Sequence, residues 1–480
     1  MLTTLLIVLP LLGALVIWAA PLPREGTAAL AVLIAVAEVA LWIFTVVGFD
    51  FTTPVLQDSA QREWFGDLGV TYHVGFYGFS LWLAGLTVVV GAAAIAFGAW
   101  VGRDRARAYF GLVLFLIGAV VGVFASQDLL LFYVFFEAML IPIYILVGVW
   151  GGPNRASATI TFVIYTMAGS LLMLASIVVF GLKQGTFSLI DAGTSSNDWV
   201  FLGFLVAFAV KAPLLPFHGW LRTAYTEAPP EIAALLSGVV SKAAVYGLIW
   251  IVLRHFPLPV DRWRTVVLVL AAVGLVYGSL LAFRQPDVRG VIAYSSMGQM
   301  SLIVLGIFAA NDLGLNGAIL HSVSHGLVSA AMFLLAALLI ERTGTDRFAD
   351  LGGMARGRPA LATTVMVVGM LTLAVPGSAN FAGEFAILAG VFAQGWGYAA
   401  VGAAAIVLAA MYTLRLISGI LHRKRGDAVR AESLDLRFVE LALVVPLVAI
   451  LLALSVWPSA ITERSFPIGP PTSAAPEAAE

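Results

Sequence analysis

The chain has 480 residues, 61% hydrophobic and 11% charged, with a formal charge of −1 and a mean hydropathy of +0.99. Soluble domains carry about 45–50% apolar and about 25% charged residues, so a water-soluble enzyme is excluded; disorder, which needs low hydrophobicity and high net charge, is excluded with it. The balanced charge leaves no footprint for nucleic acid, and the lack of cysteine removes disulfides, thiolate clusters and cysteine catalysis. A membrane-crossing helix needs about 20 mostly apolar residues. Fourteen such stretches follow in chain order: 2–20, 27–47, 78–100, 108–126, 129–150, 157–181, 200–222, 231–253, 265–283, 289–309, 313–339, 361–392, 394–420 and 438–457. The first opens on Met1-Leu2-Thr3 with no basic flank and reads as a span, not a cleaved leader. The fold class is therefore an all-α integral membrane protein of about fourteen transmembrane helices.

Loops after odd-numbered helices hold seventeen Lys and Arg residues, from Arg24 to Arg437, whereas the opposite side holds six. The positive-inside rule then puts both termini on the non-cytoplasmic side of the membrane. Helices four to eight and nine to thirteen form two sets of five, each with an interrupted helix in fourth place. An odd number of crossings makes the second set enter from the opposite face, the pattern of inverted repeats. The expected organisation is a three-helix segment at 1–107, a first repeat at 108–255, a second at 265–421, and a last helix with a polar tail at 422–480.

A charge at the bilayer centre costs from a few to more than about ten kcal/mol, which makes intramembrane ionisable residues functional candidates. The set is Glu38, Glu137, Lys211, Lys242, His321, His325 and Glu384. All but Glu38 fall at about the same depth of their helices, so they form a layer along the membrane plane that suits a proton relay. Any one of them can instead belong to a structural ion pair, although desolvation offsets most of what such a pair contributes. Glu38 stands alone on the second helix and reads as a packed or snorkelling carboxyl.

Two of these charges sit beside helix breakers. Pro213 and Pro216 follow Lys211, placing it at the C-terminal end of a half-helix, where free carbonyls favour a cation. Pro376 and Gly377 precede Glu384, placing it in the early turns of a second half-helix, where the dipole favours an anion. Proline and glycine also kink membrane helices without further purpose. Glu137 near Lys211 would hold the ammonium charged, and moving or protonating the carboxylate would let the proton pass to Lys242 and then to His321 and His325. Glu384 would end the row. His321 and His325 are spaced to share a metal, but a third ligand is missing, so no metal is assigned. His218 lies by the proline break as a gate or as a satisfied helix-end imidazole; His73, His255 and His422 read as loop or interface residues. There is no Walker loop, dinucleotide fingerprint or pair of haem ligands on separate spans, so the chain itself carries no redox chemistry.

Several blocks resemble one family, the antiporter-like membrane subunits of respiratory complex I, and most closely its M-type members. They are Phe132-Tyr-Val-Phe-Phe-Glu137-Ala-Met-Leu-Ile-Pro142, the segment from Ala207 to Leu221, Glu227-Ala-Pro, Ser241-Lys242-Ala-Ala-Val-Tyr-Gly247, Asp287-Val-Arg-Gly-Val-Ile-Ala-Tyr-Ser-Ser296, His325-Gly-Leu, Glu341-Arg342-Thr and Gly383-Glu384-Phe. The resemblance covers about residues 75–425. It implies a bacterial inner-membrane subunit that pumps protons, coupled to quinone reduction elsewhere in an NADH–quinone oxidoreductase. It implies Glu137 and Lys211 as the coupled pair, Lys242 and His325 as relay groups and Glu384 as the terminal group, where sister subunits carry lysine. The implied partners are the L- and N-type antiporter-like chains, and FMN and iron–sulfur clusters are expected only in other subunits. The chain departs from the family at Tyr77, usually Asp, at Gln299, usually His, and at Gly290, usually basic; His321 is an added imidazole. Other readings are a subunit of a cation/proton antiporter complex or membrane-bound hydrogenase, a stand-alone solute transporter, and a scaffold.

Overall fold

A computed structural model of the chain describes residues 1–66, 69–430 and 434–466; the polar tail expected from Pro467 onward lies outside the described residues. The helices are α1 (Leu2–Ala19), α2 (Arg24–Gly48), α3 (Gly78–Val101), α4 (Ala106–Ala125), α5 (Leu129–Trp150), α6 (Arg155–Gln184), α7 (Asp198–Lys211), α8 (Leu221–Glu227) and α9 (Pro230–Leu253). They continue with α10 (Pro257–Arg284), α11 (Val288–Ala309), α12 (Asp312–Thr343), α13 (Pro359–Thr372), α14 (Ala379–Phe392), α15 (Trp396–Leu421), α16 (Phe438–Val456) and α17 (Ser459–Ser465). Among the described residues, twelve are long and apolar enough to cross a membrane. The two remaining stretches are interrupted: in 200–222 α7 ends at Lys211 and α8 begins only at Leu221, and 361–392 is split into α13 and α14.

One element departs from the all-helical expectation. Strands β1 (Gln57–Phe65) and β2 (Val70–Phe76) form an antiparallel hairpin between α2 and α3, with Arg62 opposite Tyr72 and Ala60 opposite Val74. The hairpin braces the α4–α5 link: the Thr71 N–H donates to Asp128 Oδ2 at 3.1 Å, and the Gln127 N–H donates to the His73 carbonyl at 2.8 Å.

Helix ends follow local chemistry. Asp128, Asn197, Asp287, Asn311 and Ser378 accept first-turn N–H groups at the starts of α5, α7, α11, α12 and α14. Gly102, Gly185 and Gly344 end α3, α6 and α12 with φ 71°, a left-handed turn that costs a glycine nothing.

The repeat is visible in the coordinates. The link into α5 pairs with the segment after α6 around Asp128 and Ser188, and the link into α11 pairs with the segment after α12 around Asp287 and Arg347. Leu129 N–H donates to the Phe187 carbonyl and Leu189 N–H to the Gln127 carbonyl; 159 positions later, Val288 donates to Asp346 and Phe348 to Pro286. The paired segments read Gly185-Thr-Phe-Ser-Leu-Ile-Asp191 and Gly344-Thr-Asp-Arg-Phe-Ala-Asp350, and Thr186 and Thr345 each accept the N–H two residues on. The copies are α4 to α9 and α10 to α15. Five crossings separate equivalent elements, so the second copy runs inverted.

Nearly every helix is apolar all round, so burial is set by small and polar side chains and not by an amphipathic stripe. α9 is buried throughout and α11 and α12 nearly so, while α2 and α16 bury only about a third of their residues. α12 meets α14 through glycines: a Cβ at Gly383 would lie 2.8 Å from His321 Cβ, and one at Gly317 would lie 2.8 Å from Ala386 Cβ. That closeness sets the second half of the site.

Candidate functional site

Glu137 lies on α5 two residues before a local break at Met139. Pro142 has no N–H for the Ala138 carbonyl, which loosens the helix there. Glu137 is half-buried near Ser170 of α6, whose hydroxyl donates to the Met167 carbonyl at 3.2 Å, and it interacts electrostatically with Lys211. Lys211 is the last residue of α7 and is buried. The break beyond it, carrying Pro213 and Pro216, is stitched by Trp220, whose indole N–H donates to the Val210 carbonyl at 3.0 Å. Lys211 Nζ stands 4.7 Å over the Phe136 ring, so a cation–π contact helps hold the charge beside Glu137.

Lys242 lies on α9, fully buried between two wide-turn segments, Leu236–Val240 and Leu248–Leu253. In the first of these the Ser241 N–H reaches back to Leu236, so the Ser237 carbonyl is left to others. It accepts the Ser241 hydroxyl at 2.9 Å and Lys242 Nζ at 2.8 Å. An ordinary α-helix would have consumed that carbonyl. Among the described residues no contact joins Lys211 to Lys242. Rings of Phe132, Phe136, Phe208 and Tyr246 pack in that region, with Phe136 and Phe208 6.2 Å apart and Phe132 and Tyr246 5.9 Å apart.

The second repeat supplies a bonded cluster. The His321 and His325 rings stack 6.0 Å apart on α12, and Lys242 acts electrostatically on both. His321 Nε2 lies 2.7 Å from Gln299 Oε1 on α11, and Gln299 Nε2 donates to Glu384 Oε1 at 3.3 Å. Glu384 sits in the second turn of α14, after the break that contains Pro376 and Gly377. Asn380 closes that break by donating to the Leu371 carbonyl at 2.9 Å. A cavity of about 20 Å³ beside Gln299 and His325 is lined also by Ser295, Thr372, Asn380 and Tyr412. It has room for about one water.

Thus Glu137 and Lys211, and Lys242 and the two imidazoles, are within electrostatic reach with no ion pair or hydrogen bond between them among the described residues, and His321 is joined through Gln299 to Glu384. The Lys211–Lys242 step has no direct contact. Glu38 does not snorkel: it is 2% exposed and neither carboxyl oxygen has a hydrogen-bond partner. His218 is half-buried against the Tyr277 ring, 5.4 Å between centroids, outside the cluster. His422 is exposed, His73 lies buried on β2, and His255 lies buried at the α9–α10 turn. Tyr77 begins α3 and packs 4.3 Å from the Trp250 ring. Among the described residues no three His, Asp or Glu side chains group as metal ligands.

The sequence reading missed two groups. Glu231, wholly buried at the start of α9, accepts Arg103 through two bonds of 2.7 and 2.8 Å and Tyr109 OH at 2.5 Å. The other is a set of serines beside Lys242, Ser237, Ser296 and Ser329. The two adjacent prolines before Glu231 hinted at a helix start. Nothing in the sequence distinguished the serines.

The family model for the NADH:quinone oxidoreductase/Mrp antiporter transmembrane region matches residues 126–411. NADH-quinone oxidoreductase subunit M of Rhodobacter capsulatus is 36% identical over 445 residues, covering 88% of this chain and 85% of that protein. A chain of respiratory complex I from Thermus thermophilus with bound NADH is similar with a TM-score of 0.87 and 31% identity, covering 97% of this chain and 98% of that one. A chain of the Mrp complex from Dietzia sp. DQ12-45-1b shares the fold, with a TM-score of 0.87 at 22% identity and 97% and 96% covered.

Proposed function

The chain belongs to the NADH:quinone oxidoreductase/Mrp antiporter transmembrane family, and from that premise we propose that it is the proton-translocating M-type subunit in the membrane arm of an NADH–quinone oxidoreductase. The observation that carries the relay is the row of buried titratable groups, with Lys211 and Glu384 each set beside a broken helix in inverted repeats. Membrane transport sites sit at such breaks because unwound backbone and half-helix ends supply fixed partial charges.

In this reading Glu137 holds the Lys211 ammonium in place. When a neighbouring subunit draws the carboxylate away or protonates it, the attraction is lost and Lys211 gives its proton to Lys242, through water that enters the aromatic region between them. His325, with His321 stacked on it, accepts the proton next. Glu384 receives it last, by way of a water for which the cavity beside Gln299 has room. This chain handles protons only, while FMN, iron–sulfur clusters and quinone chemistry belong to other subunits. L- and N-type antiporter-like chains are its membrane partners, the membrane is the bacterial inner membrane, and both termini face away from the cytoplasm. The units are the three-helix segment 1–107, the repeats 108–255 and 265–421, and the last helix with its tail, 422–480.

In the assembled complex reconstituted into vesicles, Glu137→Gln, Lys211→Ala and Glu384→Ala should each cut quinone-coupled proton uptake by about 10²-fold or more, the scale of a lost proton-transfer group. Normal pumping by all three variants would remove the relay. The Mrp-type fold likeness favours a second reading, a cation/proton antiporter subunit. Co-purification with quinone-oxidoreductase subunits decides between them.

A further inference from the structure

Lys242 and His325 lie on different repeats, and no direct bond joins them among the described residues. Three serine hydroxyls stand at the crossing. Ser237 Oγ on α9 donates to Ser296 Oγ on α11 at 2.9 Å and lies 2.6 Å from Ser329 Oγ on α12. Ser296 Oγ lies 3.3 Å from His325 Nε2. Ser237 and Ser296 are wholly buried and Ser329 is 3% exposed. The two repeats come this close because glycine faces glycine: a Cβ at Gly238 would lie 2.9 Å from the Gly326 carbonyl, and one at Gly326 would lie 2.6 Å from the Gly238 carbonyl. The same Ser237 holds Lys242, whose Nζ donates to its carbonyl at 2.8 Å.

A hydroxyl both donates and accepts, so a run of hydroxyls passes a proton without holding a charge. Ser237 donates to Ser296, and the other two bonds complete a consistent direction when Ser329 donates to Ser237 and His325 carries its proton on Nδ1, leaving Nε2 to accept from Ser296. We propose that Ser237 and Ser296 form the proton bridge between the two repeats, the specific link from Lys242 to His325. The inference rests on the relay reading above and adds to it the residues that make the crossing. In one passage the Lys242 ammonium, held at rest on the Ser237 carbonyl and 3.4 Å from Ser241 Oγ, turns from that carbonyl to the hydroxyl of the same serine and gives a proton to Ser237 Oγ, Ser237 gives its own to Ser296 Oγ, and Ser296 gives its own to His325 Nε2. Three bonds to hydrogen break and three form. The products are a neutral amine and an imidazolium, and no other reactant is needed. Rotation of the two hydroxyls resets the bridge. Ser329 anchors Ser237 and borders the cavity beside Gln299.

The test uses the assembled complex in vesicles, with NADH-driven quinone reduction as the check of assembly and proton uptake as the readout. Ser296→Ala, and Ser237→Ala with Ser296→Ala, should lower proton uptake by about 10²-fold or more, to the level of Lys242→Ala. Ser296→Thr, which keeps a hydroxyl in place, should restore it. Ser322→Ala on α12 removes a buried hydroxyl bonded to its own helix at the Ala318 carbonyl and should leave uptake unchanged. Full pumping by the double alanine variant while Lys242→Ala fails would overturn the bridge and leave the relay standing. Full pumping by Lys242→Ala would overturn the relay reading itself, and the bridge with it. Loss in Ser296→Ala that threonine does not rescue would assign Ser296 to packing, against the proposal.

Discussion

An amide neither gives up nor takes on a proton near neutral pH, and Gln299 places one between His321 and Glu384. With its oxygen toward His321 and its nitrogen toward the carboxylate, it fixes the His321 proton on Nε2. In the proposed relay a proton would go round this amide, and the cavity that Gln299 borders with His325 offers room for a water there. Lys211, Lys242 and Glu384 were legible as candidates because a lone charge in hydrocarbon is so costly that its position is informative. Ser237 and Ser296 were not, since serine is frequent in membrane helices and only its neighbours give it a role. His255, between α9 and α10, makes the same point outside the spans. Burial pushes its imidazole down to about 4 from the ordinary 6.5, and its Nδ1 lies 3.1 Å from the Gly193 carbonyl. Between those two values the unfolded chain binds a proton that the folded chain refuses. Stability therefore rises with pH across the window and is lost as pH falls through it. His255→Gln should flatten that dependence, read as melting temperature in detergent at pH values on either side of the window. An unchanged slope would show that other groups set it.

At the scale of elements, the breaks after Lys211 and before Glu384 were readable because proline cannot donate a backbone hydrogen bond. The wide turns on either side of Lys242 were not, because no residue type marks them. Those turns free the Ser237 carbonyl and so decide where the lysine ends up. The hairpin of β1 and β2 escaped notice because β1 is mostly polar and largely exposed and does not alternate as a half-buried strand would. The contact of α12 with α14 gives a direct prediction. Gly383→Ala puts a methyl 2.8 Å from His321 Cβ and 3.0 Å from its Cα and nitrogen, and backbone gives way least. It should destabilise the chain by about 1–3 kcal/mol and displace Glu384 from Gln299. Gly397→Ala near the start of α15 meets nothing within 4 Å and should be neutral or slightly stabilising. Thermal unfolding in detergent separates the two, and equal melting points would show that the α12–α14 seam has slack.

In the whole molecule the two inverted copies follow α1 to α3, and the two ends of the described residues meet on one side. Tyr72 of the hairpin reaches Thr4 near the N-terminus, and near the C-terminus Phe466 stacks on Phe79 and Arg464 lies over the Phe51 ring. The loop around Lys424 packs at the other end, where Gly426 N–H donates to the Gly352 carbonyl. The chain has no cysteine, so introduced ones report without background. Arg62→Cys and Glu463→Cys should react with a membrane-impermeant maleimide from one side of sealed vesicles, and Lys424→Cys from the other. Labelling of Arg62→Cys and Lys424→Cys from the same side would refute the crossing number. By itself the sequence determined that the protein crosses the membrane about fourteen times, where two helices break and which charges lie in oil. Those follow from the cost of moving polar groups out of water, which is paid residue by residue. Only the tertiary structure decided which helices form the interior and which charges meet. Lipid is as apolar as leucine, so hydropathy cannot tell a lipid-facing helix from a buried one; glycine contacts and hydrogen bonds between helices choose.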